Sequence, residues 1–589
     1  MSKTQFRFLT LAALFLLVAS PFYLNPFSMT LLNYIGVYGL VALGLVLLTG
    51  IGGMMSFGQA AFVGIGAYAG AWASALQGYS PWVGLMLAIV LSCSVALVLG
   101  AITLRLGGHF LALSTVAWGL SIFFLFGNLD GLGNYNGIAN VPPISLGPLK
   151  LVASWQMFYL IWAIVLLALL ASRNLLDSRS GRAMRALRGG NLLVESLGIN
   201  AFFTRLATFV IAALFAGLSG WLYAHLNRFV SPAPFEVHVG IDYLMMAMVG
   251  GATELIGAFI GSALVTLTKN SIQDYLPMIA KGASGQLEIV VFSIVFIVLL
   301  QRWRGGLISI SSHLLPSPHH DIDRTVTPLS RRPLPQPGEV LLTADQVERR
   351  FGGLVAVDKV SFTLNAGEIL GLIGPNGAGK STMFNLLTGA LRPNSGRVVF
   401  QGRDITHAPQ REIAKAGIAR TFQHVKIRPK MTLLDNVLLG THPRTTSGFF
   451  SGALRLDRAE EAQARAEALR QLQRVGLGDK PFELAGNLPL GNQRVLEIAR
   501  ALAADPVLLV LDEPAAGLRR QEKQALAELL QSLRSENLSI LLVEHDMEFV
   551  MGLVDRIVVM NFGCKICEGL PLEVRQDAQV QDAYLGGLV

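Results

Sequence analysis

Hydrophobic residues are distributed very unevenly along this chain of 589 residues. Up to position 301, long runs with almost no charge alternate with short polar connections. Each run approaches the ~20 residues with which a helix crosses a bilayer. After position 340, short apolar runs end in polar or glycine-rich turns, which is typical of a soluble α/β domain. The pattern predicts eight membrane spans, at 8–24, 30–50, 54–76, 82–104, 110–127, 155–171, 206–227 and 286–301.

Basic residues give these spans an orientation. The connection that follows span 155–171 is rich in arginine, whereas the connection 128–154 contains only two charged residues, Asp130 and Lys150. Because basic residues stay on the cytoplasmic side, we expect the first connection inside and the second outside. Lys3 and Arg7 then place the N-terminus inside, and six crossings return the chain to the cytoplasm. The arginines of the first connection are Arg173, Arg179, Arg182, Arg185, Arg188 and Arg205.

The apolar stretch 242–267 contains Gly250 and Gly251. The chain leaves the cytoplasm through span 206–227 and returns to it through span 286–301, so the stretch between these spans should start and end outside. We therefore expect two half-helices, 242–249 and 255–267, in a re-entrant element. Such an element lies against protein or a polar cavity and would form a wall of a translocation path. A miscounted span is the alternative.

Two other segments of the apolar half leave alternatives open. Residues 8–20 have the basic start and small residues of a signal peptide, but an uncleaved first helix is favoured because further spans follow directly. Small residues at four-residue spacing in 50–68 predict close helix packing. Within that segment, Ser56 and Gln59 are either polar groups of a pathway or partners in interhelical hydrogen bonds.

Composition divides the chain into two halves. The first 315 residues contain only 23 charged residues and carry the basic excess, whereas the second half is nearly neutral. We therefore expect contact with membrane lipid and no nucleic-acid partner. The predicted domains are a polytopic all-α membrane domain at 1–310, an extended proline-rich linker at 311–340 and a soluble domain at 341–589.

A glycine-rich loop lies between the apolar run 369–373 and a helix-like segment. Strand, glycine loop and helix together predict a phosphate-binding loop, whose backbone N–H groups point at a polyphosphate. Lys380 would reach the terminal phosphates, and the Ser381 hydroxyl would take a position on Mg²⁺. The predicted nucleotide-binding residues are Gly374, Pro375, Asn376, Gly377, Ala378, Gly379, Lys380, Ser381 and Thr382.

A second apolar run, 507–511, ends in two acidic residues. Asp512 would hold Mg²⁺, and Glu513 would act as the general base that polarises the attacking water. Further along, the run 541–543 also ends in polar residues. His545 should therefore lie at a neighbouring strand end, where it would contact the γ-phosphate.

These motifs give the soluble half a resemblance to the nucleotide-binding domain of ABC transporters, an α/β P-loop fold with a helical subdomain. The resemblance implies ATP as the nucleotide, with Phe351 stacking on adenine and Gln423 sensing Mg²⁺. It also implies that two such domains sandwich two ATP molecules, each held between the phosphate loop of one domain and the signature loop of the other. The signature positions are occupied by Leu488, Pro489, Leu490, Gly491, Asn492 and Gln493.

The whole chain resembles a permease fused to the ATP-binding component of ABC importers of the branched-chain amino-acid type. In the first half the resemblance rests on 55–62, 104–110 and 181–199. The last segment resembles the importer coupling helix, which docks on an ATP-binding domain and in which Glu195 and Gly198 hold the family's loop positions. The resemblance implies a multi-pass protein of the bacterial inner membrane, with its ATP-binding domain in the cytoplasm and a periplasmic substrate-binding protein as partner.

The signature loop departs from the common pattern of the family. Pro489 stands where many ABC proteins carry serine, and it offers neither a hydroxyl nor an N–H. Asn492 replaces the usual glutamine, and Arg519 lies in the loop after Glu513. These differences favour assembly with a second permease and a second ATP-binding subunit of different sequence over a homodimer.

The sequence therefore predicts an ATP hydrolase that moves leucine, isoleucine and valine inward. An importer of the same build for urea, short amides or other amino acids is the alternative. An ABC exporter or a membrane-bound signalling ATPase is a more distant one. The coupling-loop pattern and the short connections on the outer side favour import.

Overall fold

The computed structural model describes residues 3–106, 108–279, 285–303, 305–309, 323 and 325–585. These residues form two compact units. The first unit takes in the described residues of 1–188, 202–319 and 449–456, and the second those of 189–201, 320–448 and 457–589. Two short segments, 189–201 and 449–456, thus belong to a different unit from the residues that flank them in sequence.

Some predicted features lie outside the described residues. The first part of the proline-rich linker is among them, since positions 310–322 and 324 fall outside. Gly107, in the motif 104–110, is another. The predicted domain boundaries at 310 and 340 therefore stay a prediction.

The first unit consists mainly of apolar helices. Helices suit such sequences because a bilayer offers no water to satisfy backbone N–H and C=O groups. Within the described residues, six segments are long and apolar enough to cross a membrane, and each overlaps a predicted span: Pro26–Ile51, Pro81–Thr103, Phe110–Asn128, Ser154–Leu176, Ala201–Asn227 and Val290–Ser309. The helices are α1 (Lys3–Ala19), α2 (Pro26–Leu45), α3 (Gln59–Ala71), α4 (Pro81–Thr103), α5 (Gly108–Asn128), α6 (Ser154–Leu176), α7 (Arg179–Ala186), α9 (Ala201–Asn227), α10 (Val237–Gly251), α11 (Gly257–Ile279) and α12 (Gly285–Arg302), with α8 (Asn191–Ser196) in the second unit. A small hairpin pairs β1 (Ser145–Leu146) with β2 (Leu149–Lys150).

The other two predicted spans have a different form. At the N-terminus, α1 is followed directly by a 3-10 helical turn, Ser20–Phe22, so helical structure covers most of the predicted span 8–24. The predicted span 54–76 begins outside any helix, because the helical turn Val46–Ile51 ends and α3 starts only at Gln59. Between them Gly53 has a φ of 72°, a left-handed conformation that interrupts a right-handed helix. α3 is therefore a buried helix of 13 residues that begins after a non-helical interruption.

The predicted re-entrant stretch forms a helical hairpin. α10 and α11 are joined by a turn directly after Gly251, close to the predicted break, but both arms are longer than expected. A Cβ on Gly250 would lie 1.7 Å from the Gly257 carbonyl oxygen, and a Cβ on Gly251 would lie 2.4 Å from a methyl group of Ile308. Glycine thus allows the arms to close and the tip to pack on the segment after α12.

The second unit is an α/β domain with two sheets, which confirms the predicted fold class. Its strands are β3 (Val340–Phe351), β4 (Leu354–Asn365), β5 (Ile369–Ile373), β6 (Ser395–Phe400), β7 (Arg403–Asp404), β8 (Ile418–Arg420), β9 (Leu508–Asp512), β10 (Ser539–Val543), β11 (Arg556–Asn561) and β12 (Cys564–Gly569). The larger sheet has the order β12-β11-β5-β10-β9-β8, in which all neighbours except β12 and β11 are parallel. β5, β9 and β10 are buried throughout, which explains their continuous apolar sequences. The smaller sheet, β4-β3-β6-β7, is antiparallel and shares a core with the larger one.

Helices complete this unit and form its subdomain. They are α13 (Lys380–Leu387), α14 (Gln410–Ala416), α15 (Leu433–Leu438), α17 (Arg458–Arg474), α18 (Leu490–Leu502), α19 (Arg520–Ser535), α20 (Met547–Met551), α21 (Pro571–Gln576) and α22 (Ala578–Leu585). α15, α17 and α18 pack around a separate apolar core that includes Leu434, Ala468 and Leu496. This core is the predicted helical subdomain.

The contact between α3 and α9 yields a test of the packing. A Cβ on Gly66 would lie 2.1 Å from the Gly217 carbonyl oxygen, a backbone atom that cannot move aside cheaply. Alanine normally stabilises a helix relative to glycine, yet we expect Gly66→Ala to destabilise the protein by about 1–3 kcal/mol through overpacking. Thermal unfolding of the purified protein in detergent measures the effect.

Gly131→Ala is the matched control, because a Cβ there meets nothing within 4 Å. We expect this variant to keep the wild-type melting temperature. An equal melting temperature for both variants would contradict the tight α3–α9 contact.

Candidate functional site

The phosphate loop connects β5 to α13 at the carboxyl edge of the parallel sheet. Gly374 and Gly379 have φ angles of 151° and 99°, and a Cβ on them would lie 2.1 Å and 2.4 Å from backbone oxygens of Met560 and Ala356. Both positions therefore require glycine. A Cβ on Gly377 would meet no atom within 4 Å, so this side of the loop faces open space. An open, glycine-rich loop before a helix N-terminus is suited to hold phosphates.

Lys380 is folded over its own loop. Its Nζ donates to the carbonyl oxygens of Gly374 at 2.7 Å and Pro375 at 2.9 Å. Burial lowers the pKa of Lys380, while the carboxylates of Glu513 and Asp512 act in the opposite direction. A phosphate that replaced the two carbonyls would bring full negative charge to this ammonium group. Two further predicted residues lie in the first turn of α13, with Ser381 exposed and Thr382 half-buried.

Asp512 ends β9 and is almost fully buried. Its Oδ1 has no hydrogen-bond partner among the described residues. Burial raises the pKa of Asp512 to about 6, and the Arg420 guanidinium limits this effect. A buried carboxylate oxygen without a partner is costly unless a cation meets it. The arrangement is suited to a hard, oxygen-binding metal ion.

Three predicted side chains come together next to Asp512. Gln423 Nε2 donates to Glu513 Oε2 at 3.0 Å, and His545 Nδ1 lies 3.7 Å from Glu513 Oε1. Glu513 has a φ of 45°, which is unusual for a residue other than glycine. Its N–H donates to the Val543 carbonyl at 2.8 Å and so continues the pairing of β9 with β10. The strained backbone is held at the sheet edge, as is common at functional sites.

Two residues that the sequence prediction left without a role position this group. Arg494, on α18, donates from its guanidinium to the Glu513 carbonyl at 3.1 Å. Glu544 is fully buried and accepts the N–H groups of Ala515 at 2.7 Å and His545 at 3.2 Å. Burial raises the pKa of Glu544. The position of Glu544 directly after β10 could have identified it as a site residue. No pattern in the sequence indicates that the Arg494 side chain contacts Glu513.

Arg420 supports the same site from β8. Its guanidinium donates to the Thr388 hydroxyl at 2.8 Å and lies 4.3 Å and 4.8 Å from the ring centroids of Phe384 and Phe422. Burial lowers its pKa to about 10. A guanidinium stays charged at this pKa, so Arg420 supplies positive charge to Asp512 from behind.

Phe351 lies at the end of β3 in the smaller sheet. Its ring is 43% exposed, and the Arg349 guanidinium lies 4.8 Å from the ring centroid. An accessible aromatic face is what stacking on a purine requires. The ring is therefore available for its predicted role.

The signature positions precede and begin α18. Gln493 Nε2 donates to the Leu488 carbonyl at 2.8 Å, and a Cβ on Gly491 would lie 2.5 Å from a carboxylate oxygen of Glu522. These contacts hold the backbone of the signature loop in place. Three of its members, Pro489, Leu490 and Asn492, are exposed.

The predicted coupling residues belong to the second unit, where α8 lies beside α14. Glu195 Oε1 accepts the N–H of Ala201 at 3.2 Å, which closes the turn after α8. Gly198 has a φ of 72°, and a Cβ on it would lie 3.1 Å from Pro443 Cγ. Glycine at this position allows the turn to approach Pro443 closely.

Ser56 and Gln59 flank the break before α3, and each is about 1% exposed. The Ser56 hydroxyl and both amide atoms of Gln59 have no hydrogen-bond partner among the described residues. Buried polar atoms without partners are costly. Among the described residues these atoms therefore form no interhelical hydrogen bonds, and their role in a pathway stays a prediction.

Comparisons with protein families cover both units. Residues 28–300 match the family described as branched-chain amino acid transport system / permease component. Residues 357–516 match the family described as ABC transporter, and residues 564–588 match that described as branched-chain amino acid ATP-binding cassette transporter.

Individual relatives match the second half of the chain. The chain is 45% identical over 249 residues to the high-affinity branched-chain amino acid transport ATP-binding protein LivG of Salmonella typhimurium, which covers 42% of this chain and 98% of the relative. It is 41% identical, with the same coverage, to the corresponding protein BraF of Pseudomonas aeruginosa. The solved structure of a nucleotide-free ATP-binding cassette from an ABC transporter aligns with 42% of this chain and 98% of its own, at 31% identity and a TM-score of 0.38. The chain therefore belongs to the ABC transporters of the branched-chain amino-acid type and joins a permease and an ATP-hydrolysing component in one polypeptide.

Proposed function

We propose that this chain drives the uptake of leucine, isoleucine and valine across a bacterial inner membrane. The observation that carries the proposal is the group of Glu513, Gln423 and His545 next to the phosphate loop, in a chain whose other unit matches a permease family. The family descriptions and the names of the relatives support branched-chain amino acids as the cargo. The arginine-rich connection supports a cytoplasmic location for the ATP-binding unit.

The ATP site would work through residues already close together. ATP would place its phosphates on the loop 374–381 and its adenine on Phe351. Lys380 would then exchange the carbonyls of its own loop for the terminal phosphates. Glu513 would accept a proton from the attacking water, and His545 would contact the γ-phosphate.

Mg²⁺ would be held by Ser381, Gln423 and Asp512. The fit rests on Asp512, whose Oδ1 is buried and lacks a partner among the described residues. When bound, the ion would neutralise charge that develops on the transferred phosphate. Gln423, which donates to Glu513, would report the state of the metal position to the general base.

A complete transporter requires further subunits. The exposed signature residues Pro489, Leu490 and Asn492 would face the ATP held by another ATP-binding domain. Because Pro489 has neither hydroxyl nor N–H, the site that this loop completes would be the weaker one. We therefore propose a second permease and a second ATP-binding subunit of different sequence, with a periplasmic binding protein that delivers the cargo. Glu195 and Gly198 would shape the loop through which ATP binding acts on the permease.

The role of Glu513 predicts the result of a conservative substitution. Glu513→Gln keeps the shape of the side chain but removes the base, so ATP hydrolysis by the assembled complex should fall by about 100-fold or more. Binding of a fluorescent ATP analogue should persist. Release of inorganic phosphate measures the first quantity, and fluorescence anisotropy measures the second.

Glu528→Gln is the matched control for this experiment. Glu528 is exposed on α19 and, within the described part of the chain, its side chain accepts a hydrogen bond from Gln524 in the same helix, so its substitution should leave hydrolysis unchanged. Near-normal hydrolysis by Glu513→Gln would overturn the assignment of the general base.

The raised pKa of Asp512 predicts a pH-dependent stability. The folded state holds a proton on this carboxyl more tightly than the unfolded state does, since the pKa is about 6 instead of 3.8. Asp512 therefore lowers the free energy of unfolding as the pH rises from about 4 through 6. In chelator-treated, nucleotide-free protein, Asp512→Asn should melt above wild type at pH 7 and close to it at pH 4, while Mg²⁺-dependent hydrolysis is lost.

The control here is Asp345→Asn, on the exposed face of β3. Its melting temperature should differ from that of wild type by the same amount at both pH values. If Asp512→Asn behaved in that way too, the carboxyl would not be the buried, cation-seeking group that we propose.

The cargo is tested by transport itself. The chain is reconstituted in vesicles with its partner subunits and a binding protein, and ATP-dependent uptake of labelled leucine is compared with uptake of labelled urea. We expect uptake of leucine and not of urea. Uptake of urea alone would replace the proposed cargo and leave the ATP site unaffected, and ATPase activity stimulated by lipid or drug without a binding protein would indicate an exporter.

A further inference from the structure

One short segment of the ATP-binding sequence belongs to the membrane unit. It spans residues 449–456 and contains the helix α16 (Phe449–Ala453), which packs on α6 and α7. Asn174 Nδ2, on α6, donates to the Ala453 carbonyl at 3.0 Å. The ring of Phe449 meets that of Phe203 edge to face, with 6.3 Å between the centroids. The segment is therefore held to the end of α6 by a polar contact and to the start of α9 by an aromatic one.

The part of α6 that leads to this segment is an exposed apolar stripe. Leu167, Leu170 and Asn174 are separated by three and four residues, so they lie on one face of the helix. Leu167 and Leu170 are 67% and 53% exposed. α6 is one of the helices that are long and apolar enough to cross a membrane, so this exposed stripe is suited to face lipid. Asn174 follows Leu170 by about 6 Å along the axis, which places the segment at the end of the lipid-facing stripe.

The outward side of the segment is apolar as well. Phe450 is 76% exposed, Leu454 54% and Leu456 71%. Arg455 lies exposed between the two leucines. Large apolar side chains grouped at the surface mark an interaction site. Aromatic and leucine side chains with an arginine beside them are the composition of a segment that lies in a membrane interface, where the arginine reaches the headgroups.

We propose that residues 449–456 form an interfacial membrane anchor. Phe450, Leu454 and Leu456 enter the boundary between headgroups and acyl chains, and Arg455 contacts lipid phosphates. Lipid is favoured over a protein partner because the patch continues the lipid-facing stripe of α6. Since the residues on either side of the segment belong to the second unit, the anchor holds part of the ATP-binding sequence at the membrane surface. The proposal goes beyond ATP-driven uptake and does not depend on the identity of the cargo.

The test places a probe on the patch in the full-length protein. The three cysteines, Cys93, Cys564 and Cys567, are replaced by serine, and Phe450→Cys is labelled with an environment-sensitive fluorophore. The protein is inserted in nanodiscs that contain lipids with a nitroxide in the headgroup region. We expect lipid nitroxides to quench the probe several-fold more strongly than soluble iodide does. The control is the same label at Phe562→Cys, which is 87% exposed in the turn between β11 and β12. There iodide should be the stronger quencher.

A second variant tests the role of the arginine. Arg455→Glu, in the Phe450→Cys background, should reduce quenching in nanodiscs with anionic lipid and have little effect in neutral ones. If the probe at position 450 behaves like that at position 562, the anchor is wrong. If it escapes both quenchers once the partner subunits are added, the patch is a protein interface instead. None of these outcomes depends on hydrolysis or on leucine uptake, so failure of the anchor is distinguishable from failure of the proposed function.

Discussion

The ATP site depends on an excess of buried negative charge at one edge of the parallel sheet. Asp512 ends β9, Glu513 follows it and Glu544 follows β10, and the parallel pairing of the two strands brings their carboxyl ends to the same edge. Arg420 and Lys380 offset only part of this charge, and burial still raises the pKa of Asp512. The buried carboxylates therefore make the site energetically unfavourable on its own. The proposed Mg²⁺ and a polyphosphate would relieve the carboxylates and the lysine together, so their binding would stabilise the fold that builds the site.

A second constraint governs the membrane unit, where helices approach each other through glycine. The α3–α9 contact and the α10–α11 hairpin both bring backbone atoms to distances that no side chain would allow. Such packing is the main source of helix association in lipid, because lipid provides no hydrophobic drive between apolar helices. It also accommodates the break before α3. The break leaves polar groups of Ser56 and Gln59 buried, and irregular backbone at membrane depth is tolerated only in such a protein-lined setting.

The sequence predicted those features whose residues are contiguous. The phosphate loop, the acids after β9 and the fold class follow from local patterns of glycine, charge and apolar runs. The hydrogen bond from Arg494 to the Glu513 carbonyl joins residues that no periodicity connects. In the same way, 54–76 contains no charged residue and few polar ones, so hydropathy predicted a continuous span. Hydropathy carries no information on backbone conformation, so it could not predict the left-handed residue Gly53 that interrupts the helix.

The two segments that belong to a different unit from their neighbours in sequence also show what the sequence could not predict. The family resemblance predicted that the segment 181–199 docks on an ATP-binding domain; its part 189–199 belongs to the second unit and its part 181–188 to the first. Residues 449–456 carried no such signal, because two phenylalanines and two leucines among small and basic residues are equally compatible with a solvated helix end. Only the contacts of Asn174 and Phe203 assign them to the membrane unit. Each unit therefore includes a segment that is continuous in sequence with the other unit, and it is the contacts of that segment, not its neighbours in sequence, that decide where it belongs.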